Sequence, residues 1–95
     1  MAVYVVANLD VTDPDVYQQY RAGVSETVVR HGGKFLAVDM EPQDLDGQSR
    51  AVLVIGEFDS AEAVKRWYDS PEYQALLKFR LASTEGWLRL VPQVS

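Results

Sequence analysis

Two segments of the sequence are apolar at consecutive positions instead of alternating between apolar and polar residues. They are Val3–Ala7 and Val52–Ile55, and both are rich in the β-branched residues that favour strands. Successive side chains of a strand point to opposite faces, so a strand that is apolar at every position needs cover on both faces of its sheet. The sequence therefore predicts a sheet that is buried on both sides.

Three polar segments predict where helices begin. Asp13-Pro14-Asp15 and Ser70-Pro71-Glu72 each combine a capping side chain, a proline suited to the first turn and an acidic residue at the positive end of the helix dipole. Asp59–Glu62 provides a cap and a first-turn carboxylate for another helix. The first helix is predicted to end at Gly32-Gly33, because glycine adopts the left-handed conformation that often follows a helix.

Spacings of three and four residues give each long helix one mainly apolar stripe. In the first helix the stripe consists of Tyr17, Tyr20, Val24, Val28 and His31, whereas Gln18, Arg21, Glu26 and Arg30 are predicted to face water. In the last helix it consists of Tyr73, Leu76, Leu77, Arg80 and Leu81.

The remaining segments predict four strands. They are Val3–Leu9, Lys34–Met40, Arg50–Phe58 and Gly86–Val91, and the polar stretch Glu41–Ser49 is predicted to be an exposed loop. The resulting order is strand, helix, strand, strand, helix pair, strand. We therefore predict a single α+β domain over residues 1–95 with the ferredoxin-like βαββαβ arrangement, in which helices cover one face of a four-stranded antiparallel sheet.

The second face of this sheet requires a cover that one chain does not supply. A symmetric partner that presents the same face is the simplest source of cover, so we predict a homodimer formed through the sheet faces. The alternative is a monomer with an unusually apolar exposed sheet. Monomers rarely expose so large an apolar patch.

Composition excludes several classes of function. The net charge is −5, with 14 acidic and 9 basic residues interspersed along the chain, which argues against binding nucleic acid. Absence of cysteine excludes disulfides and thiolate-bound zinc, and a single histidine, His31, excludes the usual multi-histidine metal sites. We therefore expect no metal and no cofactor. The sequence shows neither a signal peptide nor a membrane-spanning stretch, which predicts a cytoplasmic protein.

Several motifs resemble those of one family. They are Asp13-Pro14 with Tyr17 and Tyr20, Gly32–Leu36, Glu57–Ser60, Trp67–Gln74 and Arg80. Together they resemble domain-of-unknown-function family 1330 in the dimeric α+β barrel superfamily, over nearly the whole chain. The specific part is the run Trp-Tyr-x-Ser-Pro-x-Tyr-Gln, since Asp-Pro or Gly-Gly alone carries little information.

The resemblance implies a ferredoxin-like monomer and a sheet-to-sheet dimer, but no established reaction. The wider superfamily includes cofactor-independent monooxygenases, muconolactone isomerase-like enzymes, haem-degrading proteins and small-molecule binders. With one histidine in the chain, haem is not expected.

Arg80 is the most informative candidate site residue, because it interrupts an apolar stripe and a buried guanidinium needs partners. It would hold a carboxylate or enolate through paired N–H donors. The alternative is a structural ion pair with Glu57 near the end of the third strand. Glu57 would instead act as a general base if an apolar setting raised its pKa. His31 is placed either to cap the first helix or to take part in catalysis.

Five aromatic residues on the helix faces would wall a cavity between helices and sheet, or simply fill the core: Tyr17, Tyr20, Trp67, Tyr68 and Tyr73. Two functions remain open. The first is a small-molecule binder, or a cofactor-independent enzyme, whose pocket contains Arg80, Glu57, Tyr20, Trp67, Tyr73 and His31. The second is a non-catalytic dimeric module in which these residues only complete the core.

Overall fold

A computed structural model describes residues 2–94 of the chain. Within these residues four strands and three helices follow the predicted order. The strands are β1 (Val3–Val11), β2 (Lys34–Asp39), β3 (Val52–Phe58) and β4 (Thr84–Pro92), and the helices are α1 (Pro14–Arg30), α2 (Ala61–Asp69) and α3 (Pro71–Ser83). The sheet order is β2-β3-β1-β4 and every neighbouring pair is antiparallel. The ferredoxin-like α+β prediction is confirmed.

Side-chain caps begin the three helices where the sequence predicted them. The Val16 amide donates to the Asp13 carboxylate at 3.2 Å, and the Ala63 amide donates to the Ser60 hydroxyl at 3.1 Å. Ser70 has two roles at the junction of α2 and α3. Its hydroxyl accepts from the Tyr73 amide at 3.2 Å and donates to the Trp67 carbonyl at 2.7 Å.

The helices cover one face of the sheet, here called the helix face. On β1 this face carries Val3, Val5, Ala7 and Leu9, all at most 8% exposed. The opposite surface, here called the open face, carries the alternate residues of β1, β3 and β4. Its apolar members are half-buried or exposed: Tyr4, Val6, Leu53, Ile55, Trp87 and Val91. Both faces are thus apolar, and the chain itself covers only one.

The observed limits of all four strands differ from the predicted ones. β2 ends at Asp39 rather than Met40. β1 and β4 are longer than predicted because Asp10 pairs with Glu85 and Val11 pairs with Thr84 in the ladder. β3 begins at Val52 rather than Arg50. The amides of Arg50 and Ala51 donate to the side chains of Asn8 and Asp10 of β1, each at 3.1 Å, and not to backbone carbonyls of the ladder.

The buried stripe of α3 is narrower than predicted. Tyr73, Leu77 and Arg80 are buried as expected, but Leu81 is 65% exposed. With 3.6 residues per turn, each position is rotated by about 100° from its neighbour, so Leu81 lies to one side of the stripe that ends at Arg80. Ser83, the last residue of α3, is fully buried as well.

Candidate functional site

A cavity of about 180 Å³ lies between the sheet and the helices. Its floor is the helix face of the four strands, and its walls are α1, Trp67 of α2 and Arg80 of α3. Phe35 and Val38 of β2 line it and are 37% and 54% exposed. The cavity therefore opens to solvent between α1 and β2.

Arg80 is the only charged side chain buried below a tenth exposure among the described residues, at 6%. No carboxylate pairs with it in residues 2–94, and its Nε–H has no hydrogen-bond partner. Taking an unpaired guanidinium out of water is costly. The arrangement leaves a buried cationic donor at the wall of an apolar cavity.

Two tyrosine hydroxyls lie beside this guanidinium. The hydroxyl oxygens of Tyr20 and Tyr73 are 3.0 Å apart and share a hydrogen bond. Burial raises the pKa of Tyr73 above its usual 10.0, although the hydrogen bond from Tyr20, the charge of Arg80 and a hydrogen bond from the Arg80 side chain oppose that effect. Burial and the neighbouring Tyr73 raise the pKa of Tyr20 still further. Both hydroxyls therefore keep their protons at neutral pH.

Aromatic side chains pack around the polar group that Arg80, Tyr20 and Tyr73 form. The Trp67 ring lies 4.2 Å from that of Tyr73 and 5.4 Å from that of Phe58, measured between centroids. Its indole N–H donates to the Thr27 hydroxyl at 3.0 Å, which fixes α2 against α1. Of the candidate site residues, Tyr20, Trp67 and Arg80 line the cavity, whereas Tyr73 is fully buried and is not part of the lining.

Glu57 lies away from this cavity, on the other side of the sheet. Its neighbours Gly56 and Phe58 line the cavity, so strand alternation directs Glu57 to the open face. Its carboxylate is 3.5 Å from the Lys34 ammonium. The predicted pair with Arg80 is therefore not formed, and Glu57 is not placed to act as a base in this cavity.

His31 also lies outside the cavity. Its Nδ1 is 2.9 Å from the Thr27 carbonyl oxygen, one turn earlier in α1, and its Nε2 is 3.6 Å from the Glu72 carboxylate at the start of α3. His31 thus caps α1 and links it to α3. Of the two roles the sequence allowed, this placement matches capping.

Sequence reasoning missed one charged residue of the cavity. Arg21 was predicted to face water, and it is indeed exposed, but it also lines the cavity beside Ser25. The available signal was its spacing, because Arg21 follows Tyr17 by four residues and so lies on the same side of α1. The two β2 residues at the opening, Phe35 and Val38, were not predicted either. A bulge between Phe35 and Ala37 places both on the helix face.

A second cavity, of about 430 Å³, lies between α2, α3 and the edge strand β4. It shares Val5, Trp67, Arg80 and Leu88 with the first cavity. Arg80 therefore separates the two spaces.

Residues 2–94 contain neither a cluster of metal-ligating side chains nor a membrane-spanning helix. No group of three or more histidine, aspartate or glutamate side chains is arranged to hold a metal ion. None of the helices there is both long and apolar enough to cross a membrane.

Solved structures with this fold include proteins of unknown function and one oxygenase. A protein of unknown function from Rhodopseudomonas palustris superimposes with a TM-score of 0.81 at 18% identity, covering 99% of this chain and 83% of its own. SnoaB, a cofactor-independent oxygenase from Streptomyces nogalater, gives 0.72 at 16% identity, covering 99% and 94%. A dimeric ferredoxin-like protein of unknown function from Thermobifida fusca gives 0.66 at 15% identity, covering 98% and 92%. At these identities the similarity concerns the fold.

No curated protein matches the sequence. A family model does, and it covers residues 2–94, which agrees with the motifs that run from Asp13 to Arg80. The chain belongs to the DUF1330 family of domains of unknown function.

Proposed function

We propose that this protein is a homodimer that binds a small organic anion in the cavity between helices and sheet, with the acidic group of the ligand on Arg80. The observation that carries the proposal is the buried Nε–H of Arg80, which has no partner although the residue lines an apolar cavity. An anion in the cavity would supply that partner. Charge-assisted hydrogen bonds of this kind are about twice as strong as neutral ones.

The cost of the unpaired guanidinium supports a ligand rather than a structural role. A structural arginine would complete an ion pair, and the partner that the sequence suggested, Glu57, lies on the opposite face with Lys34. A buried donor without a partner costs about 1–3 kcal/mol of folding stability. Such a cost is typical of a binding site in which the ligand supplies the missing hydrogen-bond partner.

The side chains that line the cavity are suited to stabilise an anion and not to remove a proton. Its lining includes no carboxylate and no histidine, so no side chain there serves as a general base at neutral pH. Tyr20 and Tyr73 remain protonated, so neither hydroxyl acts as a base there. Such a site lowers the energy of an enolate or phenolate that the ligand forms by its own ionisation.

Cofactor-independent catalysis is the second candidate function. It is favoured by the fold that this chain shares with SnoaB and by a buried cation beside two neutral hydroxyls. In such an enzyme the substrate itself provides the reacting carbanion, and the protein stabilises the negative charge of that carbanion. A non-catalytic dimeric module is the remaining alternative, and it predicts no ligand at Arg80.

The open face supports the dimer. Its half-buried apolar residues include Val6 and Ile55, which are paired neighbours at the middle of the sheet. Association of two such faces would bury them, as in interfaces between stable subunits. The Thermobifida fusca protein of similar fold is described as dimeric.

Native mass spectrometry with a library of small organic acids and neutral analogues tests the proposal. We expect acids to remain bound to the dimer, and we expect binding to disappear in Arg80→Met, which keeps the apolar stem and removes the charge. Arg66→Met is the matched control, because Arg66 is exposed on α2 and lines neither cavity. Equal binding by wild type and Arg80→Met would contradict the proposal. Binding of no acid by folded wild-type dimer would favour the non-catalytic module.

A further inference from the structure

The charged residues that line the first cavity are both arginines. Arg80 lies in its wall and Arg21 at its opening, and no acidic residue lines it. This contrasts with the whole chain, which carries a net charge of −5. Charges of one sign that line a partly enclosed cleft raise the local concentration of ligands that carry the opposite charge.

Neither arginine is neutralised by the protein. In residues 2–94 no ion pair includes Arg21 or Arg80. Two other arginines do have partners. Arg30 contacts Glu26 and Arg50 contacts Asp10, each at 2.7 Å. Within the described residues, neither arginine of the cavity is therefore held by a carboxylate of this chain.

Arg21 and Arg80 both influence Tyr17, which lines the cavity with them. Burial raises the pKa of Tyr17, and the charges of Arg21 and Arg80 partly oppose this rise, so the Tyr17 hydroxyl lies within electrostatic range of both. On α1 the cavity lining runs from Tyr17 to Val28, a length of about 16 Å at 1.5 Å per residue. The end near Val28 is apolar and includes Phe58.

We infer that the ligand carries two acidic groups, of which one binds Arg80 inside the cavity and the other binds Arg21 at the opening, while its apolar part faces Phe58. This inference rests on the proposed function and specifies its ligand class as an organic dianion. The inner contact is the stronger one, because Arg80 is buried and Arg21 is exposed to water and salt.

Calorimetric titration with benzoate and with the three benzenedicarboxylate isomers tests this inference. We expect benzoate to bind wild type, and we expect at least one dicarboxylate to bind about fivefold more tightly, which is the scale of a partly exposed ion pair. Arg21→Gln should abolish this advantage, because it weakens dicarboxylate binding more than benzoate binding. Arg30→Gln, which removes a charge from the same helix outside the cavity, should preserve the advantage.

The outcomes separate the inference from the proposed function. If benzoate binds in an Arg80-dependent way and every dicarboxylate binds no more tightly, the second acidic group is disproved and the proposed function stands. The same conclusion follows if a dicarboxylate advantage survives Arg21→Gln. If all four acids fail to bind wild type while the dimer remains folded, both the inference and the proposed anion site are overturned.

Discussion

The hydroxyl groups of Tyr20 and Tyr73 share a hydrogen bond of 3.0 Å although the residues lie on different helices and 53 positions apart. Their ring centroids are 6.1 Å apart in an edge-to-face arrangement. Hydroxyl groups buried in this way need a partner, and each provides one for the other. The pair joins α1 to α3 and keeps two protonated donors beside Arg80.

The tyrosine pair predicts a loss of stability at alkaline pH. Burial raises both pKa values above the usual 10.0, so the folded state keeps protons that the unfolded chain releases. The contribution is fully present below about pH 10 and is lost as the pH rises towards the folded-state values, at up to about 1.4 kcal/mol per pH unit for each group. Denaturant unfolding of wild type and of Tyr20→Phe with Tyr73→Phe, measured between pH 8 and 11, checks this. We expect a shallower decline in the double variant, and identical slopes would contradict the prediction.

Substitution of Arg80 distinguishes a ligand site from a structural pair. We expect Arg80→Met to change the free energy of unfolding by less than about 1 kcal/mol in either direction, because methionine retains most of the packing of the stem, no buried carboxylate loses a partner and the unpaired donor is removed. Addition of Glu57→Gln should cost at most about 1 kcal/mol more, since it removes only the partly exposed pair with Lys34. Thermal melts measure both. A loss of about 3–5 kcal/mol that Glu57→Gln restores would instead reveal a buried pair.

The open face predicts a dimer at micromolar concentration. Ile55→Lys places a charge at the middle of this face, opposite Val6, and should dissociate or unfold the protein because the charge would be buried without a partner. Val29→Lys is the matched control, since Val29 is 66% exposed on α1. Sedimentation equilibrium measures the mass of wild type and of both variants in solution. Wild type that sediments as a 10.7 kDa species throughout the micromolar range would remove the case for the dimer.

Asn8 predicts a local change in the loop before β3. Its side-chain amide donates to the Val52 carbonyl at 2.9 Å and to the Ser49 hydroxyl at 3.1 Å, and its oxygen accepts from the Arg50 amide at 3.1 Å. Asn8→Ala leaves these groups without a partner and should cost about 1–3 kcal/mol. Hydrogen exchange should accelerate at residues 49–51 more than in α1. Uniform acceleration along the chain would indicate that Asn8 does not hold this segment specifically.

The fold was predictable from the sequence because the patterns that mark its helices and strands each lie within a short segment of the chain. Caps at Asp13, Ser60 and Ser70 and the apolar pattern of β1 each depend on a few neighbouring residues, and all appear as expected. The limits of β3 depend on side chains from β1, a contact between distant segments. Such contacts are set by tertiary structure and leave no local pattern.

Prediction of the candidate site was less complete. Helical spacing brought Tyr20 and Arg80 to the cavity, but Glu57 was placed there only because it lies near the end of β3. Strand alternation with Phe58 assigns Glu57 to the open face, so that position was readable from the sequence. Arg21 is harder to recognise, since an exposed arginine on a helix is common and only the position of β2 reveals the opening beside it.

Nuclear magnetic resonance of the Arg80 Nε–H group tests the central claim most directly. Comparison with Arg80→Lys assigns the Arg80 signal in the wild-type spectrum, and saturating benzoate is then added. We predict that this signal shifts, because the free donor acquires a carboxylate acceptor, while the Arg66 signal stays in place. An Arg80 signal that does not move under saturating benzoate would contradict the claim that Arg80 is the anion-binding group of this protein.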